Sequence, residues 1–222
     1  MLYLYHKEAS KPQLTLTGDE HKYIFKVRRH KLDDILHLRN LKNNTIYNYK
    51  ISFIDKRSSI LELQNSQELI VKSHKTLHIG WCVIDPKSVE KVLPSLNEMG
   101  LEKITFIYCK RSQKSFKFDF KRLEKILLNS SQQSGRSEMM NLETVESLEK
   151  FLELYPNSKM LNFSKNNFID QCSFDTIVVG CEGGFTKEEV TLFKEKNIVG
   201  FNTPLVLKSE SAVCALASKV LL

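Results

Sequence analysis

The sequence predicts a small β-barrel followed by an α/β domain built on a parallel sheet. Three observations predict it. Over residues 1–70, short apolar or alternating runs recur at close spacing, the pattern of strands. From about Lys75 the rhythm changes to strands alternating with helices, as in a sheet covered by helices. Further on, the β-branched run Ile177-Val178-Val179 stops at Gly180, Gly183-Gly184 follow, and Thr186 with Glu189 makes the Thr-x-x-Glu pattern of a capping box. Open α/β sheets bind ligands at such turns, past the carboxyl ends of their strands. Glycines there let a ligand approach the backbone.

In the first half the expected strands are Leu2–Tyr5, Leu14–Leu16, Ile35–Leu38, Ile46–Ile51 and Ile60–Leu63, with Asn43-Asn44 as a hairpin turn. One helix, Asp19–Arg28, interrupts them, and Gln67–Lys72 reads as the linker between the halves. The second half opens with the strand Leu77–Gly80. A helix over Pro86–Met99 follows, with Val89, Val92, Leu93 and Leu96 apolar and Gly100 as its stop. Ile104–Tyr108 is the next strand and Phe120–Ser131 the next helix, with Leu123, Ile126 and Leu127 on one face. Val145–Tyr155 reads as helix, stopped by Pro156. Strands are expected at Lys159–Phe163, Asp175–Val179 and Ile198–Phe201, and a last helix over Ser209–Leu222.

Hydrophobic content of 41% over 222 residues supports a core of one large or two small domains. The formal net charge of +7 favours a polyanionic partner. It concentrates in two segments. His21–Leu32 holds Lys22, Lys26, Arg28, Arg29 and Lys31 with no acid; Lys110–Lys125 holds seven cations against Asp119 and Glu124, interleaved with Phe116, Phe118 and Phe120. Together they point to RNA phosphate contact. No apolar run is long enough to span a bilayer, and no signal-peptide pattern is present, so no membrane association is expected. Cys82, Cys109, Cys172, Cys181 and Cys214 are scattered, without Cys-x-x-Cys or paired histidines. This predicts no zinc or other metal site, no disulfide framework, and a reducing cytoplasm.

The glycine turn lacks the Gly-Lys-Ser/Thr of a P-loop and the Gly-x-Gly-x-x-Gly of a dinucleotide fold. A nucleotide-like ligand held without a phosphate cradle fits better, and S-adenosylmethionine is one such ligand.

Gly180-Cys181-Glu182-Gly183-Gly184-Phe185 resembles the Gly-Pro-Glu-Gly-Gly-Phe loop of bacterial 16S rRNA uridine N3-methyltransferases, members of the SPOUT class of knotted enzymes. Leu207-Lys208-Ser209-Glu210-Ser211-Ala212 is similar to that family's Leu-Arg-x-Glu-Thr-Ala segment, and Gln133-Ser134-Gly135-Arg136 to its Gln-Ser-Gly-Arg. Glu98-Met99-Gly100, Arg111-Ser112, and His21, Val27, Arg29 and Asp34 also fall on family positions, so the resemblance runs the whole chain in order. Cys181 stands where the family has proline, Met140 where it has another, and Leu205 and Lys208 where it has arginines. Leucine at 205 removes a planar, five-donor group.

The resemblance implies a PUA-like β-barrel over residues 1–70 and a SPOUT-type α/β domain with a parallel sheet and deep trefoil knot over 73–222. It implies S-adenosylmethionine as cofactor, 16S rRNA in the small ribosomal subunit as substrate, and a homodimer. The cofactor is expected among the loops Leu161–Ser164, Gly180–Phe185 and Phe201–Leu207, touching Leu161, Phe163, Gly180, Glu182, Gly183, Gly184, Phe201, Asn202, Leu205, Val206, Leu207 and Ser211. Leu161 and Phe163 serve either this role or the strand-end core. Uridine N3 must lose a proton as it attacks, so a base and donors to the imide oxygens are needed. Glu182 and Glu210 are the acids of the motif loops, each with a structural alternative: bracing the glycine loop, or sitting favourably at a helix N-terminus. Arg136 completes the catalytic candidates. His21, Arg29, Arg111, Gln133, Arg136 and Lys208 are the candidates for RNA contact, on a base drawn out of its stack; His21 reads equally as a structural histidine. The residues leave two other readings: a knotted methyltransferase acting on tRNA or a ribose 2′-oxygen, and a non-catalytic ribosome-assembly factor.

Overall fold

The computed structural model describes residues 2–167 and 174–222. These divide into two compact units, residues 1–72 with 131–139, and residues 73–130 with 140–222.

The first unit is built on a five-stranded sheet of β1 (Leu4–Tyr5), β2 (Gln13–Thr17), β3 (Ile35–Arg39), β4 (Thr45–Ile54) and β5 (Ser58–Glu68), in the order β1-β3-β4-β5-β2. Alternation sends Leu14, Leu16, Leu36, Leu38, Tyr47, Tyr49, Ile51 and Leu61 inward to one core. Register shifts at Asn48/Tyr49 and Ile51/Phe53 mark bulges in the long β4–β5 ribbon. Strand β5 runs on to Glu68, so the start of the expected linker is strand. The expected helix Asp19–Arg28 is two pieces: α1 (Gly18–Lys22) and a π-helical turn, Tyr23–Val27. Residues 131–139 join this unit through backbone bonds from Leu2 N–H to the Gln132 carbonyl and from Ser137 N–H to the Val71 carbonyl.

The second unit is a six-stranded, wholly parallel sheet of β6 (His78–Cys82), β7 (Lys103–Ile107), β8 (Asn141–Val145), β9 (Lys159–Leu161), β10 (Thr176–Val179) and β11 (Ile198–Val199), in the order β11-β9-β10-β6-β7-β8. Central strands read as near-continuous apolar runs because helices cover them. The helices are α2 (Pro86–Glu98), α3 (Phe120–Ser134), α4 (Leu148–Leu154), α5 (Lys187–Thr191) and α6 (Ser209–Leu221). The last turn of α3 belongs by contact to the first unit. Asp85 caps α2, its carboxylate accepting from Ser88 N–H at 3.1 Å.

Two expectations are corrected. Val145, expected to open a helix, instead closes edge strand β8, a strand not expected from the sequence; the helix starts only after Ser147, whose hydroxyl accepts from Lys150 N–H. The polar Asn141, Glu143 and Thr144 mask the strand pattern. Cys82 and Cys109 are joined as a disulfide, although scattered cysteines predicted none. Parallel neighbours β6 and β7 bring their ends together, with the two Cα atoms 5.7 Å apart, a proximity invisible at a separation of 27 residues. Cys181 and Cys214 are free thiols, and Cys172 lies outside the described residues.

Candidate active site

Parallel strands carry all their following loops to one end of the sheet. There the second unit gathers the loops after β7, β9, β10 and β11. The glycine turn is shaped by its own backbone: Gly184 N–H bonds the Cys181 carbonyl at 2.9 Å, and Gly184 takes φ +65°, where a side chain is strained. At Gly180 an added Cβ would lie 3.2 Å from the Phe185 ring.

Three neighbours hold this turn. The predicted capping box is present: Thr186 N–H donates to Glu189 Oε2 (2.8 Å) and Glu189 N–H to Thr186 Oγ1 (3.2 Å). The second oxygen of buried Glu189 accepts the Lys110 N–H at 2.8 Å, tying the loop after β7 to the helix after the turn. From that same loop Arg111 donates through Nη1 to the Gly183 carbonyl. At the start of α6, the Ser209 hydroxyl donates to the Gly180 carbonyl and accepts from buried Trp81 Nε1 at 2.8 Å. Leaving that indole N–H unpaired would cost about 1–3 kcal/mol. Cys181 is buried within the turn, and burial pushes its thiol up from its ordinary value.

The loops after β9 and β11 are laced together. Asn162 N–H bonds the Val199 carbonyl, Gly200 N–H bonds the Asn166 carbonyl, and Ser164 Oγ donates to the Ile198 carbonyl. The chains pass so closely that a Cβ at Gly200 would sit 2.7 Å from Ser164 O and 2.9 Å from Asn162 O. Beside this crossing opens a cleft of about 560 Å³ lined by Ser164, Lys165, Asn167 and the run Gly200–Pro204, and a smaller one of about 340 Å³ that adds Leu207 and Ala215. Such volumes suit a small ligand. Large apolar side chains stand exposed in the same loops: Phe163 (81%), Leu205 (70%) and Val206 (76%).

Residues 71–221 match the family of the RNA methyltransferase domain, and residues 16–64 match the RNA methyltransferase PUA domain. The chain belongs to this RNA methyltransferase family. It is 36% identical over 98% of both chains to Ribosomal RNA small subunit methyltransferase E of Helicobacter pylori. Its fold is shared with a methyltransferase of Legionella pneumophila solved with bound SAM (TM-score 0.80, 22% identity, 99% of this chain and 96% of that one). A second structure sharing it is Ribosomal RNA small subunit methyltransferase E of Neisseria gonorrhoeae bound to S-adenosyl methionine (TM-score 0.80, 16% identity, 98% and 95%).

For this RNA methyltransferase the structure brings together, at one end of the parallel sheet, the expected residues of the second unit. Leu161 closes β9 and is buried, whereas Phe163 stands out from the following loop. Phe201 and Asn202 line both clefts and Leu207 the smaller. Glu182 and Gly183 are exposed, Glu210 lies in the first turn of α6 and exposed Ser211 follows it, and Lys208 is that helix's N-cap. Arg111, expected at RNA, is exposed and bonded to the glycine turn.

The remaining candidates lie in the first unit. Gln133 is exposed near the end of α3. Arg136 is buried (4% exposed), and its charge is felt by the Tyr3 phenol, which burial pushes up to about 12 against the lowering fields of Arg39 and Arg136. His21 is also buried, its ring 4.8 Å from that of Phe25, so the structure puts it in the interior rather than on an RNA-facing surface. Arg29 is exposed with φ +61°. Sequence reasoning missed Trp81, Ser209 as a tether, and Gly200. Only the glycine carried a signal, as a small residue ending a β-branched pair.

Among the described residues no group of three or more His, Cys, Asp or Glu is placed to hold a metal ion, and no helix is long and apolar enough to cross a membrane.

Proposed function

We propose that the protein methylates N3 of a uridine in 16S rRNA of the small ribosomal subunit, using S-adenosylmethionine. The observation that carries this reading is the glycine turn, clamped from three sides at the same end of the sheet as the loops after β9 and β11, in a chain whose full-length relatives are ribosomal RNA small subunit methyltransferases. The residues present fit the cofactor. A nucleoside without phosphates needs open backbone and apolar cover, and the loops offer both: exposed Glu182-Gly183 on the turn, and exposed Phe163, Leu205, Val206 and Leu207 in the loops after β9 and β11. Bound S-adenosylmethionine supplies the electrophilic methyl group.

The chain's own residues do the rest. The clamps on Gly180 and Gly183 hold the turn rigid, so the reacting centres are aligned before reaction. Glu182 and Glu210, on the turn and on the first turn of α6, are our candidates to orient the uracil and take its N3 proton. Arg111 and Lys208, attached to the same loops, are cations for phosphate or for the charge developing on the imide oxygens. Arg111 carries a guanidinium fork, with Nη1 already on the Gly183 carbonyl, whereas Lys208 has none.

We further infer that the second unit carries the deep trefoil knot of the SPOUT class. The passage of 200–208 from edge strand β11 back to an α6 tethered to β6 and β10 supports that threading. The exposed Phe163, Leu205 and Val206 support a homodimer in which a second copy covers the loops. Residues 1–70 are assigned the RNA-binding role and 73–222 the catalysis, with exposed Gln133 supporting RNA contact from the first unit; Arg136, as buried as His21, is interior.

Calorimetric titration with S-adenosylmethionine, joined to mass mapping of rRNA nucleosides from cells with and without the gene, tests the proposal. Binding, together with loss of one N3-methyluridine in the deletion, is expected. Binding without any change in small-subunit RNA would reject the substrate; no heat would reject the enzyme.

A further inference from the structure

The first unit holds an irregular segment that the reaction leaves unexplained. After α1 the chain widens into the π-helical turn Tyr23–Val27, closed by Arg28 N–H on the Tyr23 carbonyl at 2.9 Å. Turns of this kind are rare and recur at functional sites. The next residue, Arg29, is a non-glycine in the left-handed region, φ +61°. Its anchorage is interior: Ile24 is buried, and Phe25 packs on the His21 ring.

The wide turn sets residues five apart over one another. The Arg28 guanidinium carbon lies 5.5 Å from the Tyr23 ring centroid, and Arg28 Nε–H donates to the Tyr23 hydroxyl at 3.1 Å. Both side chains are exposed, with Tyr23 at 37%, and exposed Lys26 and Val27 flank them. The acids of this stretch are engaged elsewhere: Asp19 with Lys22 (3.3 Å), Glu20 with His6 (3.9 Å), Asp33 with Lys50 (2.8 Å), and Asp34 with His30 and the Lys31 N–H. Among the described residues Lys26, Arg28 and Arg29 make no ion pair, which leaves their positive charge to an outside anion.

We propose that Tyr23 and Arg28 form a stacking platform for one unpaired nucleobase of the RNA, with Lys26 and Arg29 on the adjoining phosphates. A guanidinium already held at the hydroxyl of a tyrosine presents a cation beside an aromatic face, to which a base adds without further ordering. Only a splayed-out base reaches it, because an A-form duplex keeps its bases stacked inside. The platform rests on the RNA substrate proposed above and adds a specificity-determining contact to it: an unpaired nucleotide in the bound RNA, apart from the target uridine.

The test uses the full-length protein and a short single-stranded oligoribonucleotide carrying a fluorescent purine analogue that is quenched by stacking. The parent is expected to quench it on binding and to prefer it over the same sequence as a duplex. Tyr23→Leu should lose the quenching and about tenfold in affinity for the single strand, with duplex affinity, cofactor affinity and thermal midpoint unchanged. Tyr23→Phe should retain both. Arg28→Met should weaken the quenching without unfolding risk at the ring. Arg29→Ala should keep the quenching at saturation and make the salt dependence of binding shallower by about one unit of slope. The platform is overturned if the parent binds without quenching, or if Tyr23→Leu quenches and binds as the parent does. A parent that fails to methylate small subunits rejects the proposed function instead, whichever way the quenching goes.

Discussion

At the scale of single residues, the active-site end is decided by atoms that are missing or shared. Gly183 lacks a Cβ, and one placed there would meet the Arg111 side chain at 3.3 Å. Gly183→Val should therefore abolish S-adenosylmethionine binding by calorimetry while circular dichroism stays that of the parent; a folded variant with parental affinity would remove the turn from the cofactor site. A second residue makes the stability depend on pH. Burial, and then the charge of Lys103, lower the His78 imidazole to about 4, against the raising field of Glu143. Its Nε2 meets Thr105 Oγ1 at 2.7 Å and its ring packs on Phe151 and Tyr155. The unfolded chain takes up this proton below its ordinary value of 6.5 and the folded one only below about 4. The unfolded state thus binds more protons between those values, and stability falls as pH drops through that window, by roughly 3 kcal/mol in all, then levels off. Thermal midpoints of His78→Gln measured from pH 7 to 4 should show a shallower decline than the parent's.

At the scale of elements, α5 is only five residues long and cannot persist on its own hydrogen bonds. Its capping box does two jobs, ending the glycine turn and presenting Glu189 to the Lys110 N–H. Thr186→Ala should cost about 1 kcal/mol of stability and also loosen the turn, so that cofactor affinity drops more than the stability loss alone explains. A melting curve beside a calorimetric titration separates the two effects. If only the midpoint moves, the cap supports the helix and not the site.

At the scale of the whole molecule, each unit carries one of the two basic segments, and the exposed Phe163, Leu205 and Val206 belong to the second unit. If a second copy covers Phe163, Leu205 and Val206, sedimentation at micromolar concentration should give a dimer. Leu205→Asp with Val206→Asp should then shift it toward monomer without unfolding either unit. A monomeric parent would remove the homodimer from the proposal and leave those side chains to cofactor or RNA.

What the sequence by itself determined is local. Periods of two and of near four placed most strands and helices within a residue or two, because the side chains that alternate are those that meet the core. The capping box was legible for the same reason: Thr186 and Glu189 act within one turn. The ordered motifs identified the family, since each carries its own loop. Strand β8 escaped because an edge strand with Asn141, Glu143 and Thr144 shows little alternation. Only the tertiary structure decided what joins residues far apart in the chain. It paired Cys82 with Cys109 across neighbouring strands and linked Trp81 to Ser209 across 128 positions. It brought Asn162 and Ser164 against Gly200, and put the Gln133–Arg136 segment with the first unit. The physical reason is sheet order. In β11-β9-β10-β6-β7-β8 the strand β10 reaches back to β6 and β11 lies beyond β9, so the candidate site is assembled by strand placement, which no window of residues contains.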